Sequence, residues 1–154
     1  MKLRLIAVGT RMPDWVVAAT HDYVRRFPRD CRLELIEVPV VQRGSDTARA
    51  KLEEGRRLLA GVGERDRVVA LCVEGRAWST PELARQLGTW RQEGRDVALL
   101  IGGPDGLDAA CLDRAEVRWS LSPLTLPHAL ARVVVVEQLY RAWSILAGHP
   151  YHRD

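Results

Sequence analysis

Asp96-Val97-Ala98-Leu99-Leu100-Ile101-Gly102-Gly103-Pro104-Asp105-Gly106 is the stretch that decides how this chain folds. Asp96 to Ile101 reads as a strand, covered on both faces because its apolar run does not alternate. It breaks into three glycines within five residues, then leads to a short helical stretch from about Asp108 to Arg114. A doubly covered strand followed by a helix belongs to a parallel sheet with helices on its faces.

The rest of the chain repeats that unit. Lys2 to Val8 alternates and stops at Gly9, a first strand. Pro13-Asp14-Trp15 opens a helix that carries Val16, Val17, Tyr23 and Phe27 and ends before Pro28. Leu33 to Val38 is a second strand, closed by Pro39. The polar segment Gln42 to Thr47 leads into a charged amphipathic helix over Ala48 to Ala60. Arg67 to Val73 reads as a third strand. Ser79, with Pro81 and Glu82 after it, caps a helix running to about Glu93. Val117 to Ser120 supplies a short fifth strand, and Pro127 to about Ala147 the last and longest helix. The expected fold is α/β, one domain over residues 1–154, with a mostly parallel sheet flanked by helices.

Composition sets the limits. With 154 residues, 47% hydrophobic and 28% charged, the chain can bury a core without metal or disulfide staples. No apolar run approaches the ~20 residues that span a bilayer. Lys2 leads directly into strand-like alternation rather than a signal-peptide cleavage region, so a cytoplasmic protein with no membrane segment is expected. Cys31, Cys72 and Cys111 are odd in number and lack paired spacing, which predicts reduced thiols and no metal site. The net charge of +3 leans mildly towards polyanions. Only Lys2 and Lys51 are lysines, and the remaining cations are arginines, suited to bidentate phosphate contacts. GC-rich codon usage alone would also give that ratio.

Three places could carry chemistry. The glycine loop 102–106 lies where ligands bind in open parallel sheets, beyond the carboxyl ends of strands. It matches no dinucleotide or phosphate-loop fingerprint, and a tight strand-to-helix turn would use the same glycines. Leu121-Ser122-Pro123-Leu124-Thr125-Leu126-Pro127-His128 is too apolar for a surface loop, which predicts a buried one. Its backbone groups would need partners, either an adenine-like edge or an ordinary packed neighbour. The last helix is apolar nearly all round, as a helix buried in a core or subunit interface would be. His128 precedes it; His149, His152 and Arg153 follow. Such a tail could hold RNA by stacking and phosphate contact, or could fray. No nucleophile elbow or paired-histidine metal spacing occurs. His21 reads as a surface or semi-buried residue, and Trp78, Trp90 and Trp119 as core.

Taken together, these blocks resemble the bacterial 23S ribosomal RNA pseudouridine N3-methyltransferase H family of the SPOUT class. The resemblance runs nearly end to end, from Lys2-Leu3-Arg4-Leu5-Ile6-Ala7-Val8-Gly9 through Arg25-Arg26-Phe27-Pro28 and Glu34 to Pro39. Its most specific blocks are Leu100 to Leu107, Leu124-Thr125-Leu126-Pro127-His128, Glu137-Gln138-Leu139-Tyr140-Arg141-Ala142-Trp143 and His149-Pro150-Tyr151-His152-Arg153. The resemblance implies a trefoil knot at the carboxyl end of the sheet, a homodimer, and S-adenosylmethionine bound by the knot loops. Carried over, the cofactor contacts are Leu71, Gly102, Leu121, Ser122, Pro123, Leu124, Thr125 and Leu126. The implied substrate is a pseudouridine of 23S rRNA on the assembled ribosome, with the tail of one subunit completing the other's site. His128, Arg132, Arg141, Tyr151, His152 and Arg153 are the candidates for holding RNA. The departure is Cys72, where the family carries an acidic or polar residue; a cofactor contact through the Leu71 backbone would survive it.

Methylating N3 of a uracil ring requires loss of a weakly acidic proton. His128 or His152 could take it as general base, or arginines could stabilise the anionic ring while water takes it. The alternatives to this reading are a SPOUT enzyme acting on transfer RNA and a non-catalytic, ribosome-associated nucleotide-binding protein. The small net charge predicts weak binding to free RNA and recognition that depends on ribosome shape.

Overall fold

The computed structural model describes residues 1–153. Five strands, β1 (Lys2–Val8), β2 (Arg32–Val38), β3 (Arg67–Arg76), β4 (Val97–Ile101) and β5 (Val117–Trp119), form one sheet in the order β2-β1-β4-β3-β5. Every pairing is parallel, with Leu5 beside Leu99 and Leu35, and Ala70 beside Leu100. The helices are α1 (Asp14–Val24), α2 (Thr47–Ala60), α3 (Thr80–Glu93), α4 (Ala109–Arg114) and α5 (His128–Ala147).

Period-two alternation sorts the strand residues between two cores. Leu3, Leu5, Val97, Leu99 and Val69 point into a core closed by α1, α3 and α5. Ile6, Val8, Ala98, Leu100, Val68 and Ala70 face the opposite core, under α2 and α4. β4 lies second from neither edge but at the centre, and all five of its residues are buried, as its unbroken apolar run predicts. Trp90 and Trp119 are core residues and Trp78 packs against them, while His21 is exposed.

Three local features differ from the expectations. β3 continues to Arg76, past Val73, with a break in register between Leu71 and Arg76 where both face Trp119. Gly75 permits this close approach, since a Cβ there would lie 2.6 Å from the Arg118 carbonyl carbon. α1 ends at Val24; the chain then closes with tighter bonds from Arg26 to Tyr23 and Phe27 to Val24. A single 3₁₀ turn, Arg29–Cys31, precedes β2.

The amino ends of the strands are tied by charge. Arg4 pairs with Asp66 and Asp96, Arg67 with Glu93, and Arg95 with Glu116. The carboxyl ends carry the glycine loop, the 120–127 segment and a cavity between them.

Candidate functional site

The cavity has a volume of about 780 Å³, within the range of small-molecule sites. Its floor is the end of β3 and β4, Leu71 and Ile101. One wall is the glycine loop and the other is the segment from Ser120 to His128. Of the expected cofactor residues, Leu71, Gly102, Leu121, Ser122, Leu124, Thr125 and Leu126 line it; Pro123 is exposed outside the lining.

The glycine loop holds a tight reversal, with Gly106 N–H donating to the Gly103 carbonyl at 3.0 Å. Gly102 is required by space: a Cβ would overlap the Gly106 backbone and lie 2.8 Å from the Leu107 nitrogen. Gly106 is required by conformation, at φ +80°. Beyond the loop, the Asp108 carboxylate caps α4 by accepting from Cys111 N–H.

The 121–127 segment is not the buried loop expected. Leu124 is 72% exposed, and Pro123 and Thr125 are exposed with it. Its composition is that of an interior loop, yet in a single chain it forms the cavity rim, where its apolar side chains meet solvent. Its internal order comes from Ser122: the hydroxyl accepts from Leu124 N–H at 2.9 Å, and the carbonyl accepts from the Ser120 hydroxyl at 3.2 Å. Among the described residues, no backbone–backbone bond outside the helices and strands involves 121–126. Apart from the Leu124 amide and the Ser122 carbonyl, which the two Ser122 bonds use, the backbone groups of this segment are available to a ligand's polar edge.

His128 begins α5 and lines the cavity. One turn later, Arg132, one of the residues expected to hold RNA, is 1% exposed and bonded within the fold. Its guanidinium pairs with Glu37 and donates to the carbonyls of Gly9 at 3.1 Å and Val8 at 3.4 Å. Residues four apart share a helix face, so this anchor fixes His128 beside the ends of β1 and β2. No charge-based reading could separate Arg132 from an exposed arginine, because an apolar surround is uninformative on a helix that is apolar all round.

The tail lies elsewhere. Tyr151 OH is 2.9 Å from Tyr23 OH and donates to Glu137 at 3.3 Å; Glu137 also accepts from Arg141 Nε at 2.7 Å. Arg141 lies over the Tyr151 ring, 5.0 Å from its centroid. Burial, then the Tyr23 hydroxyl, push the Tyr151 phenol well above its ordinary pKa, so it stays protonated. His152 Nδ1 is 3.3 Å from Ser144 Oγ, and Arg153 is exposed. Within one chain, then, His128 lines the cavity, while Arg141, Tyr151 and His152 gather on α5 and α1.

Sequence reasoning did not single out Lys51 or Arg118 as site residues, and both line the cavity together with Cys72. Cys72 follows Leu71 on β3, and burial followed by the Glu74 carboxylate raises its thiol pKa. Among the described residues, no cluster of three or more potential metal ligands occurs, and no helix is long and apolar enough to cross a membrane.

A parallel sheet with a ligand-sized cavity walled by a glycine loop and an apolar rim at its carboxyl edge has the form of an α/β protein that binds a small molecule there. Residues 1–152 match the family described as "Predicted SPOUT methyltransferase", and the chain belongs to that family. It is 56% identical over its whole length to the full-length ribosomal RNA large subunit methyltransferase H of Hahella chejuensis. It is 57% identical, over 99% of its length and all of the relative's, to the protein of the same name from Chromohalobacter salexigens. Among solved structures, a methylase family protein from Haemophilus influenzae shares the fold, with a TM-score of 0.62 at 14% identity over 99% of this chain and 70% of that one. Another from Neisseria gonorrhoeae gives 0.57 at 14% identity, over 97% and 95%.

Proposed function

We propose that this protein methylates N3 of a pseudouridine in 23S rRNA, using S-adenosylmethionine and acting as a homodimer on the assembled ribosome in the cytoplasm. The observation that carries the reading is the cavity, whose two walls are the loops that the family resemblance assigns to the cofactor. Full-length relatives named ribosomal RNA large subunit methyltransferase H support the substrate class.

The residues fit the cofactor. Leu71, Gly102 and Leu121 to Leu126 would hold it, with free backbone groups for an adenine edge and leucines for its faces. When bound, S-adenosylmethionine supplies a methyl group on a positively charged sulfur. The chain's part is to orient the uracil ring in line with that group and to exclude water. His128 stands at the cavity wall to accept the N3 proton. His152 or an arginine brought by a partner's tail would act on the ring's developing negative charge. Arg141, Tyr151, His152 and Arg153 lie away from their own chain's cavity, a placement consistent with completing a second subunit's site. Trp15, Val17, Leu130 and Leu146 are large apolar side chains exposed on α1 and α5, and they supply surface for that dimer. The trefoil knot implied by the resemblance belongs to the same proposal.

The test is methyl transfer from radiolabelled S-adenosylmethionine to ribosomes from cells lacking this gene, with the label mapped by mass spectrometry. Label at N3 of one 23S pseudouridine, greater on ribosomes than on naked RNA, is the expected result. Label on transfer RNA alone would overturn the substrate, and a dimer without label or cofactor binding would overturn the activity.

A further inference from the structure

α2 carries an acid in an unusual position. Glu54 is 2% exposed, although its neighbour Glu53 lies at the surface end of ordinary i,i+3 and i,i+4 pairs with Arg56 and Arg57. A buried carboxylate is costly unless its lone pairs are filled. Here they are: Arg43 donates from Nη1 at 2.6 Å and from Nη2 at 3.0 Å, and Val41 N–H donates at 3.0 Å.

The same guanidinium reaches further. Its Nη1 also donates to the Val41 carbonyl at 2.8 Å, and its Nε donates to the Asp105 carboxylate at 2.8 Å. One side chain therefore joins the segment after β2, the buried face of α2 and the tip of the glycine loop. Glu54 also lies under that loop, since a Cβ on Gly103 would lie 3.1 Å from its Oε1. Next to it, Gly55 packs so closely on Asp108 that a Cβ would overlap the carboxylate. α2 thus supports the loop from below while Arg43 holds it from outside. The planar fork of arginine meets all these acceptors at once, which a lysine ammonium cannot do.

We infer that Arg43, anchored on buried Glu54, is a positioning residue that fixes the glycine loop in its cofactor-binding form through Asp105. The inference rests on the cofactor reading of the cavity. A loop held in place beforehand costs little further ordering when the ligand arrives, so the bracket acts on affinity more than on the chemical step.

Binding of S-adenosylhomocysteine by calorimetry, with KM and kcat for methyl transfer, tests this in R43Q, D105N and the double variant. R95Q is the control: it removes an exposed arginine–glutamate pair, Arg95 Nη2 on both Glu116 oxygens, at the opposite end of the sheet. R43Q and D105N are each expected to raise the dissociation constant and KM roughly tenfold, with kcat changed less than about threefold. The double variant should be no worse than R43Q, because both remove one link. R95Q should lower the melting temperature and leave the dissociation constant alone. A folded R43Q that binds like the wild type, or additive effects in the double variant, would overturn the inference. If R43Q does not fold, D105N decides alone, since it cuts only the exposed end of the bracket. Failure of the wild type itself to bind would instead overturn the cofactor reading.

Discussion

Gly102 and Gly106 sit four residues apart and are glycine for different reasons, and that difference is measurable. Gly102→Ala places a methyl group into the Gly106 backbone, which has no flexible atom to yield. The loop must shift, so cofactor affinity should fall by one to two orders of magnitude, roughly the cost of a misplaced binding wall. Gly106→Ala meets nothing within 4 Å but keeps φ at +80°, so it should cost about 1–2 kcal/mol of stability and change affinity little. Calorimetry with S-adenosylhomocysteine beside thermal melting separates the two; equal affinity losses would show that backbone conformation, not space, governs the loop. In the sequence these glycines are equivalent letters, and only the fold distinguishes them. The same holds for Glu53 and Glu54, one solvated and one buried, and for Arg132, whose acceptors lie on β1 and β2 more than ninety residues earlier.

Elements were legible where a local signal fixes them. Ser79 and Glu82 form a reciprocal capping box, with Ser79 Oγ accepting from Glu82 N–H at 3.2 Å and Glu82 accepting from Ser79 N–H at 2.9 Å. Ser79→Ala should lower stability by about 0.5–2 kcal/mol without touching cofactor affinity, checked by denaturant unfolding and calorimetry. The unbroken run of β4, the alternation of β1 and the start of α5 at Pro127 were equally local, and the structure agrees within a residue or two. The extension of β3 was not legible, because Glu74, Gly75 and Arg76 carry no strand propensity and the stretch ends on the pairing of Arg76 with Trp119. Nor was the exposure of the 121–127 rim: its leucines indicate apolar contact without saying whether a core, a ligand or another subunit provides it. The site was therefore readable as two loops, while the bracket behind it was not.

At the scale of the whole molecule, the two cores each enclose a thiol that affects alkaline stability. Burial pushes the Cys31 thiol up to about 11, and burial followed by Asp108 pushes Cys111 up to about 12, from an ordinary value of 9.0. Above pH 9 the unfolded chain releases these protons and the folded one keeps them, so stability should be full below pH 9 and decline from there to about pH 12. Melting temperature against pH checks this: the C31A/C111A variant should start lower but fall less steeply, and an unchanged slope would assign the decline to other groups. The larger core has a second consequence, for synthesis. Val135, Val136, Leu139 and Ala142 of α5 close a core whose other side is Leu3, Leu5 and α3. β1 and α5, far apart in the sequence, are thus needed together, a topology of high contact order. A nascent chain that has emerged only through β5 still exposes the apolar face of its sheet, so folding must wait for α5, with chaperones as the expected custodians of that interval.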